Sequence, residues 1–341
     1  MIKKSFSIFI FSIYFFSCGK ISEFSLKKYT HFSIGTIIEI TVLFPSSELK
    51  DSVSNIVNNA FNIIDSIDRI FYEGNKESYS YHVNMMKNNV IMQLPEDFYN
   101  MIKRSISISK KTLGYFDITV GTYLNQYSFG KEIKKEPDID SLNVLSGIVG
   151  YNNLSLMNGN RISKKFDNLR ITIGGIAKGY AVDSVKNYLS SFPIIKGAII
   201  NAGGDIGLIK RADGKKWKVG IRHPRKPGEI IGILNLSSES VATSGDYENY
   251  YIVNGKKYHH LLNPFTGLPS SNCQSVTVIA PNTELADALA TALFVAGYEK
   301  GREILKNFDD VYAMWIDSSG YINYSDGFTN FLKKIFKEEC L

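Results

Sequence analysis

Residues 174–183 read GGIAKGYAVD, and this stretch decides how the middle of the chain folds. An alternating apolar run over residues 169–173 precedes it and predicts a half-buried strand. Apolar residues at helical spacing follow over residues 181–188 and predict a helix. A strand, a tight turn and a helix start leave backbone N–H groups free to bind an anion. The simpler alternative is a glycine turn that packs a helix against a sheet.

Three glycines and one lysine set the properties of this loop. Gly174, Gly175 and Gly179 allow positive φ angles and close approach of a ligand to the backbone, because glycine lacks a Cβ atom. Lys178 adds a fixed positive charge inside the loop. The loop is therefore a candidate site for an anionic ligand.

The composition is that of a folded protein. The chain has 341 residues, of which 44% are hydrophobic and 21% charged, enough for one large domain or two intertwined ones. The net charge is +6 and the lysine runs are short, so we expect no nucleic-acid partner. Because no low-complexity linker divides the chain, we expect one compact α+β unit.

The first residues predict a secretory signal. Lys3 and Lys4 precede a mostly apolar run over residues 6–16, which is too short to span a bilayer comfortably. We therefore assign residues 1–17 to a signal peptide that is removed from the mature protein.

The end of this segment resembles a bacterial lipobox, because Ser17 is followed by Cys18, although Phe15 stands where leucine is usual. On this resemblance Cys18 carries lipid and residues 18–28 form a lipidated tether. We then expect the protein in the bacterial cell envelope, anchored at the periplasmic face of the inner (cytoplasmic) membrane. The alternative is an ordinary signal peptide in which Cys18 is incidental.

Hydrophobic periodicity predicts the remaining elements. Helices are predicted over residues 52–71, 95–112, 284–296 and 301–308. Strands are predicted over residues 29–44 (as a pair or one long strand), 198–201, 217–221, 230–236, 240–243, 250–253, 257–262 and 274–280. Residues 73–84 are predicted to be a loop, and Asn-Gly pairs at 158–159 and 254–255 predict hairpins.

Asp287 and Thr291 form a candidate metal site on the predicted helix 284–296. They are four residues apart, so their side chains lie on one face of the helix, one turn apart. A carboxylate and a hydroxyl suit Mg²⁺, which takes oxygen ligands. The alternative is that Asp287 only complements the dipole at the helix start.

Two adjacent histidines, His259 and His260, lie near the end of a predicted strand. Successive side chains of a strand point to opposite faces, so we expect one histidine in the site and the other at the surface. Polar residues interrupt apolar surroundings in three further places: FDITVG at 116–121, AGGD at 202–205 and TSGDYE at 243–248.

These blocks carry a resemblance when they are taken together. GGIAKGYAVD, NAGGD, TSGDYE, HHLLNPFTG and ADALATALF occur in this order, and FDITVG precedes them. Together they resemble the FAD:protein FMN transferase family, also called ApbE, including its lipoprotein members. The resemblance covers residue 29 to the C-terminus and implies one transferase domain, 29–341. It implies an α+β fold of mixed sheets with packed helices and T-fold-like subdomains.

The resemblance also implies an activity and a set of site residues. Such enzymes bind FAD and Mg²⁺, cleave the pyrophosphate, release AMP and place FMN on a Thr or Ser hydroxyl of a partner protein. By similarity, Mg²⁺ is held by the backbone carbonyl of Ala177 and the side chains of Asp287 and Thr291. His260 is then the general base, as a neutral imidazole near its ordinary pKa, with Asp246 and Asp205 as the next candidates. The positions that match the family's FAD pocket are Ile34, Phe116, Asp117, Ile118, Gly174, Lys178, Tyr180 and Leu261.

The chain departs from the family pattern in two places. Ile34 stands where the family's strand usually carries methionine, and Asn263 stands where aspartate is usual before proline. Asn263 removes a charge, which puts any acid role at this position in doubt. The loop over residues 73–84 matches poorly, so the aromatic residue that stacks on the flavin ring is not placed.

Three functions stay open. The first is transfer of FMN to an acceptor protein, with FAD as substrate and the membrane as a further partner through the lipid anchor. The second is a Mg²⁺-dependent FAD pyrophosphatase, which needs the same metal site but no acceptor. The third is a non-catalytic flavin-binding lipoprotein. Release of AMP separates the first two from the third, and covalent flavin on an acceptor separates the first from the second.

Overall fold

The computed structural model describes residues 24–46 and 49–336. Within these residues lie sixteen strands: β1 (Ser25–Ser33), β2 (Thr36–Phe44), β3 (Met92–Gln93), β4 (Leu154–Met157), β5 (Arg161–Lys164), β6 (Gly197–Ala202), β7 (Asp205–Ile209), β8 (Trp217–Arg222), β9 (Ile230–Leu236), β10 (Ser240–Gly245), β11 (Tyr250–Val253), β12 (Lys256–His259), β13 (Cys273–Ala280), β14 (Tyr312–Asp317), β15 (Ile322–Tyr324) and β16 (Leu332–Ile335). The α-helices are α1 (Lys50–Phe71), α2 (Tyr79–Met85), α3 (Glu96–Lys111), α4 (Ile139–Ser146), α5 (Ala177–Ser190) and α6 (Thr283–Leu305). Short 3-10 helices cover Ile118–Gln126, Tyr151–Asn153 and Phe328–Phe331.

An eight-stranded sheet in the order β1-β2-β6-β7-β10-β13-β14-β15 forms the centre of the fold. Its neighbouring strands run antiparallel. Helices α1, α5 and α6 cover one face and bury the inward residues of β2, β6 and β13. A three-stranded sheet, β16-β9-β8, covers part of the other face. Every residue of β13 is buried, as expected for a strand covered on both sides. The α+β prediction is confirmed.

Two of the predicted helices and the first hairpin are found close to their expected positions. The helices predicted over 52–71 and 95–112 are α1 and α3. The strand predicted over 29–44 is a pair, and its turn falls at Ile34 and Gly35, which have φ angles of 44° and 70°. β1 begins at Ser25, so residues 25–28 of the expected tether belong to this hairpin.

The loop predicted over residues 73–84 is only partly correct, because α2 begins at Tyr79. The Ser78 hydroxyl accepts the backbone N–H of Tyr81 at 3.1 Å and caps this short helix. The helices predicted over 284–296 and 301–308 correspond to the two halves of α6, which are separated at Gly297, where φ is 75° and the backbone is not helical. The spacing of apolar residues predicts the two halves of α6, whereas the bend between them depends on the positive φ of Gly297.

The strand predicted over residues 169–173 is wrong, because no neighbouring strand pairs with this segment. Side chains bind its backbone instead. The Asn84 amide donates to the Ile171 carbonyl at 2.9 Å and accepts the Ile171 N–H at 2.7 Å. The hydroxyl of Thr122 accepts the Arg170 N–H at 2.9 Å. An alternation of apolar residues indicates that one face of a segment is buried, but not that the segment pairs with a strand. A paired strand and this unpaired segment therefore show the same alternation.

The glycines of the central loop do not use the positive φ angles that glycine allows. None of Gly174, Gly175 and Gly179 has a positive φ. Close packing explains Gly179, because a Cβ atom there would lie 2.3 Å from the carbonyl oxygen of Thr283. A Cβ atom at Gly175 would lie 3.1 Å from the Thr291 hydroxyl. The glycines therefore let α5 and its loop approach α6.

The predicted signal peptide, residues 1–17, and the predicted lipid attachment site at Cys18 lie outside the described residues. In the described part of the chain, no helix is both long and apolar enough to cross a membrane.

Candidate active site

A cavity of about 590 Å³ opens where the starts of α5 and α6 meet the loops after β10 and β12. It brings together nine of the twelve site residues expected from the sequence. These are Phe116, Asp117, Ile118, Gly174, Lys178, His260, Leu261, Asp287 and Thr291. Segments that are far apart in the sequence therefore form one lining.

The remaining three residues lie beside this lining. Ile34 is in the hairpin turn and borders a shallow groove that shares Tyr72 with the cavity. Tyr180 is on α5, where its ring packs against Phe71 at a centroid distance of 5.4 Å. Ala177 is the first residue of α5, and its N–H donates to a carbonyl of the preceding turn.

Lys178 lies between two buried carboxylates. Its Nζ is 2.7 Å from Asp205 Oδ2 and 3.4 Å from Asp287 Oδ1. Burial by itself would lower the pKa of Lys178, but the two carboxylates outweigh burial and raise this pKa above its ordinary value. The positive charge expected in the loop is thus held in place by Asp205 and Asp287.

Asp205 comes from the AGGD segment and is 3% exposed. Burial and the neighbouring charge of Asp287 raise the pKa of Asp205, while Lys178 opposes them. Asp205 therefore holds Lys178 between the two acidic side chains. Asp246, the other reserve candidate for a base, lies outside the cavity lining and is paired with Arg225 at 2.6 Å.

Asp287 binds the start of α5. Its Oδ2 accepts the backbone N–H of Gly179 at 3.1 Å. The anion at the start of α5 is therefore the carboxylate of Asp287. Residues 174–183 alone predict only that an anion binds there. One turn along α6, the Thr291 hydroxyl lies 3.4 Å from the hydroxyl of Ser244. The pair predicted from i, i+4 spacing does share one wall of the cavity.

This wall presents the oxygen atoms that a hard cation requires. Asp287 supplies a carboxylate, and Thr291 and Ser244 supply hydroxyls at the cavity surface. Among the described residues, no group of three or more His, Cys, Asp or Glu side chains has the arrangement of a metal site. The ligands expected for Mg²⁺ include only one side chain of these types, Asp287, so they do not form a group of this kind. Their oxygen atoms are nevertheless the donors that Mg²⁺ prefers.

His260 lies on the cavity wall, and its ring is fixed by the neighbouring loop. Its Nδ1 is 3.2 Å from the carbonyl oxygen of Asn249. Because a carbonyl only accepts, this contact requires the proton on Nδ1 and leaves Nε2 with a free lone pair. Burial lowers the pKa of His260 to about 4, not the ordinary value that we had expected. The imidazole is neutral at pH 7 but is a weaker base than a free histidine.

His259 is on the other side of the chain, as the strand alternation predicts, but it is buried and not at the surface. It is 6% exposed, its Nε2 is 2.9 Å from the Ser270 carbonyl, and its ring packs edge-on against Phe294. The expectation of a surface position is wrong, because loop residues and α6 cover this face of β12.

Asp117 is occupied by protein donors. Its Oδ1 accepts the backbone N–H of Thr119 at 2.8 Å and the Thr119 hydroxyl at 2.6 Å. Its Oδ2 accepts the Tyr151 N–H at 2.7 Å. Burial raises the pKa of Asp117, and these hydrogen bonds oppose that effect. Asp117 therefore caps the 3-10 helix at the cavity and ties it to the short 3-10 helix before β4.

Asn263, where the family usually has aspartate, organises a turn. Its side-chain oxygen accepts the Phe265 N–H at 2.9 Å, and its own N–H donates to Leu268. Its carbonyl accepts the N–H of Gly267 at 2.8 Å. An amide oxygen makes this turn as well as a carboxylate does, so the loss of charge leaves the geometry intact.

Several polar residues of the cavity lining were not predicted from the sequence, among them Glu248, Ser244 and Glu73. Glu248 and Ser244, both within TSGDYE, line the cavity, and Glu73 accepts the Thr172 hydroxyl at 2.6 Å. Burial raises the pKa of Glu248, while Lys178 opposes it. The block was recognised as polar, but only the folded chain shows which of its side chains face the cavity.

Comparison with solved structures defines the class of protein. An ApbE protein from Thermotoga maritima superposes with a TM-score of 0.82 at 30% identity, covering 91% of this chain and 100% of that one. The flavin transferase ApbE from Vibrio cholerae superposes with a TM-score of 0.78 at 26% identity, with 91% and 100% coverage. The α+β fold is thus that of ApbE proteins.

Comparison of sequences gives the same result. A protein of Vibrio cholerae named FAD:protein FMN transferase is 31% identical, covering 80% of this chain and 82% of its own length. One of the same name from Haemophilus influenzae is 31% identical, with 74% and 76% coverage. The family model described as "ApbE family" matches residues 34–315. The chain belongs to the ApbE family, and like these relatives it is a transferase enzyme.

Proposed function

We propose that this chain is a Mg²⁺-dependent FAD:protein FMN transferase. It cleaves FAD, releases AMP and joins FMN through a phosphoester to a Thr or Ser hydroxyl of an acceptor protein. The observation that carries the proposal is that His260 and the Asp287–Thr291 pair line one cavity. The names of the relatives supply FAD and a protein as the two substrates.

The charged part of the cavity would bind the pyrophosphate. Mg²⁺ would be held by Asp287, Thr291 and the carbonyl of Ala177, and when bound it supplies positive charge to the transferring and leaving phosphates. Lys178 offers a second positive charge at a fixed position, because Asp205 holds its ammonium group at 2.7 Å. A charge that is already fixed needs no reorganisation during the reaction.

The apolar part of the cavity would take the rings of FAD. Phe116, Ile118 and Leu261 present apolar side chains to it, while Gly174 leaves the backbone accessible. Ile34, Asp117 and Tyr180 remain proposed FAD-pocket positions. The last two already have internal partners, which supports a role in shaping the pocket.

His260 would remove the proton from the acceptor hydroxyl. A hydroxyl is a weak nucleophile at neutral pH, and it gains nucleophilicity when a base takes its proton during attack. The Nδ1–H bond to Asn249 holds the ring, and Nε2 keeps the lone pair that accepts the proton. The low pKa keeps this lone pair free at pH 7.

One experiment tests the proposal. The protein is incubated with FAD, Mg²⁺ and a candidate acceptor peptide, and both the peptide mass and free AMP are measured. The proposal expects a peptide heavier by one FMN phosphoester and one AMP per labelled peptide, and chelation of Mg²⁺ abolishes both. AMP without a labelled peptide would instead indicate an FAD pyrophosphatase. The absence of both products would indicate a protein that only binds flavin.

We also propose that Cys18 carries lipid, and that residues 29–341 act as one transferase domain at the periplasmic face of the inner membrane. The basic head, the apolar run and Ser17 before Cys18 support this. Mass spectrometry of the mature protein should find Cys18 at the N-terminus with attached acyl chains. A mature chain that begins elsewhere, or that stays soluble without detergent, would contradict the anchor.

A further inference from the structure

An apolar rim borders the cavity that His260 lines, and it has no role in the steps above. It is formed by Leu113, Tyr115 and Phe265. Phe265 and Leu113 are 54% and 52% exposed, whereas Tyr115 lines the cavity itself. The Tyr115 and Phe265 rings meet edge-on with a centroid distance of 5.2 Å. The exposed ring is therefore in direct contact with the cavity lining.

The loop that carries Phe265 is fixed from both sides. Asn263 accepts the Phe265 N–H, and its carbonyl accepts the Gly267 N–H. The hydroxyls of Tyr123 and Tyr127 donate to the carbonyls of Pro264 and Gly267, at 3.0 Å and 2.5 Å. Phe265 is thus presented to solvent by a rigid turn.

The other side of the rim is also constrained. Leu113 has a φ of 55°, which is rare for a leucine. Gly114 follows with a φ of 84°, and a Cβ atom there would lie 3.3 Å from the Phe265 ring. Leu113 and Phe265 are therefore two exposed apolar side chains that are both carried on turns. Rigid exposed aromatic residues are typical anchors of protein interfaces.

The cavity on which the rim borders also identifies the occupant. His260 and Pro264 line this cavity, and Pro264 directly precedes Phe265 in the chain. An acceptor chain that delivers its hydroxyl to His260 therefore enters the cavity whose edge carries the rim. We propose that the rim of Leu113, Tyr115 and Phe265 docks an apolar side chain that flanks the acceptor's Thr or Ser. This inference rests on the proposed transferase function.

The test uses two synthetic peptides of equal length, each with a single Thr. In one the Thr is flanked by Leu, and in the other by Ser. Peptide binding to the FAD-loaded protein is measured by fluorescence anisotropy, and FMN transfer is measured separately by mass. We expect the Leu peptide to bind about tenfold more tightly, and Phe265→Ser to remove that preference. Phe265→Tyr should restore it.

Tyr321 provides a matched control, because it is an aromatic residue with the same 54% exposure and lies away from the cavity lining. Tyr321→Ser should keep the peptide preference, and neither serine variant should change the affinity for FAD. Equal binding of both peptides to the wild type would overturn the rim proposal, as would a preference that survives in Phe265→Ser. Weakened FAD binding in that variant would place the ring in the flavin site and also overturn it.

The two proposals fail in different ways. If the Leu peptide binds through Phe265 but gains no FMN, the rim stands and the transferase function fails for that acceptor. If both peptides gain FMN with equal affinity in wild type, the transferase function stands and the rim proposal fails.

Discussion

The cavity has two ends that are held together differently. At the charged end, Asp205 and Asp287 are buried, and ion pairs to both of them fix the half-buried Lys178. At the aromatic end, Tyr123 and Tyr127 are buried and fixed by neutral hydrogen bonds to carbonyls. Burial raises the pKa of Tyr123 to about 12, so the phenol stays neutral at any pH near neutrality. A substitution should therefore affect chemistry at one end and stability at the other.

The largest effect is expected from Asp287→Ala at the charged end. Mg²⁺-dependent turnover should fall by about three orders of magnitude or more, because the bound cation supplies several kcal/mol of charge stabilisation. Thr291→Ala should be milder, since water can replace a hydroxyl ligand. Rates are measured against Mg²⁺ concentration, with AMP release as the signal.

Two controls make this result specific. Asp287→Asn keeps a group that accepts the Gly179 N–H and so separates loss of charge from loss of the helix contact. Asp213→Asn alters an ion pair with Arg211 outside the cavity lining and should leave turnover unchanged. Turnover at the wild-type rate in Asp287→Ala would remove the metal assignment.

Tyr127→Phe tests the aromatic end. The Gly267 carbonyl loses its buried donor, so the free energy of unfolding should fall by about 1–2 kcal/mol. The rate of FAD cleavage should change little, because Tyr127 holds the loop and carries no charge. Denaturant unfolding and AMP release are measured on the same sample. A large loss of turnover with unchanged stability would show that the two ends are not separate in this way.

The pH dependence of transfer tests whether the general base has the lowered pKa of His260. A general base works in its unprotonated form, so a lowered pKa moves the acid limb of the profile to lower pH. For His260 the limb of kcat/KM should lie near pH 4, whereas an ordinary histidine would place it near about pH 6.5. A fall in kcat/KM centred on the ordinary value would mean that the base is another group or that His260 is more hydrated.

The smallest effect is expected from Asn263→Asp. A carboxylate also accepts the Phe265 N–H, so the turn is retained and transfer should stay within about threefold of wild type. Transfer rates and thermal unfolding of the two proteins are compared. A rise of tenfold or more, on the order of 1.4 kcal/mol, would mean that the charge at this position has a role in the reaction.

The sequence predicted those parts of the fold that depend on local periodicity. The spacing of Asp287 and Thr291 placed them on one face of a helix, and α1 and α3 followed from apolar repeats. The strand prediction failed for residues 169–173, because their backbone is bound by the side chains of Asn84 and Thr122, which lie many residues away in the sequence. Periodicity reports burial but not which group satisfies a buried backbone N–H.

The candidate site was predicted as a set of residues, not as a geometry. Nine of the residues predicted from the family resemblance line one cavity. The resemblance did not predict that Asp287 binds the start of α5. They also did not predict the burial of His259 or the low pKa of His260. These properties depend on how α6 and the loops enclose the site, which no single stretch of sequence specifies.

The adjacent histidines provide the most direct test of the account. FAD affinity and FMN transfer to a peptide are measured side by side for His260→Ala and His259→Ala. His260→Ala should bind FAD within a few-fold of wild type but transfer about two to four orders of magnitude more slowly, the usual cost of losing a general base. His259→Ala should lose stability, because its buried ring bonds Ser270 and packs on Phe294, but should keep transfer in the folded fraction. An active His260→Ala, or an inactive but stably folded His259→Ala, would contradict the account.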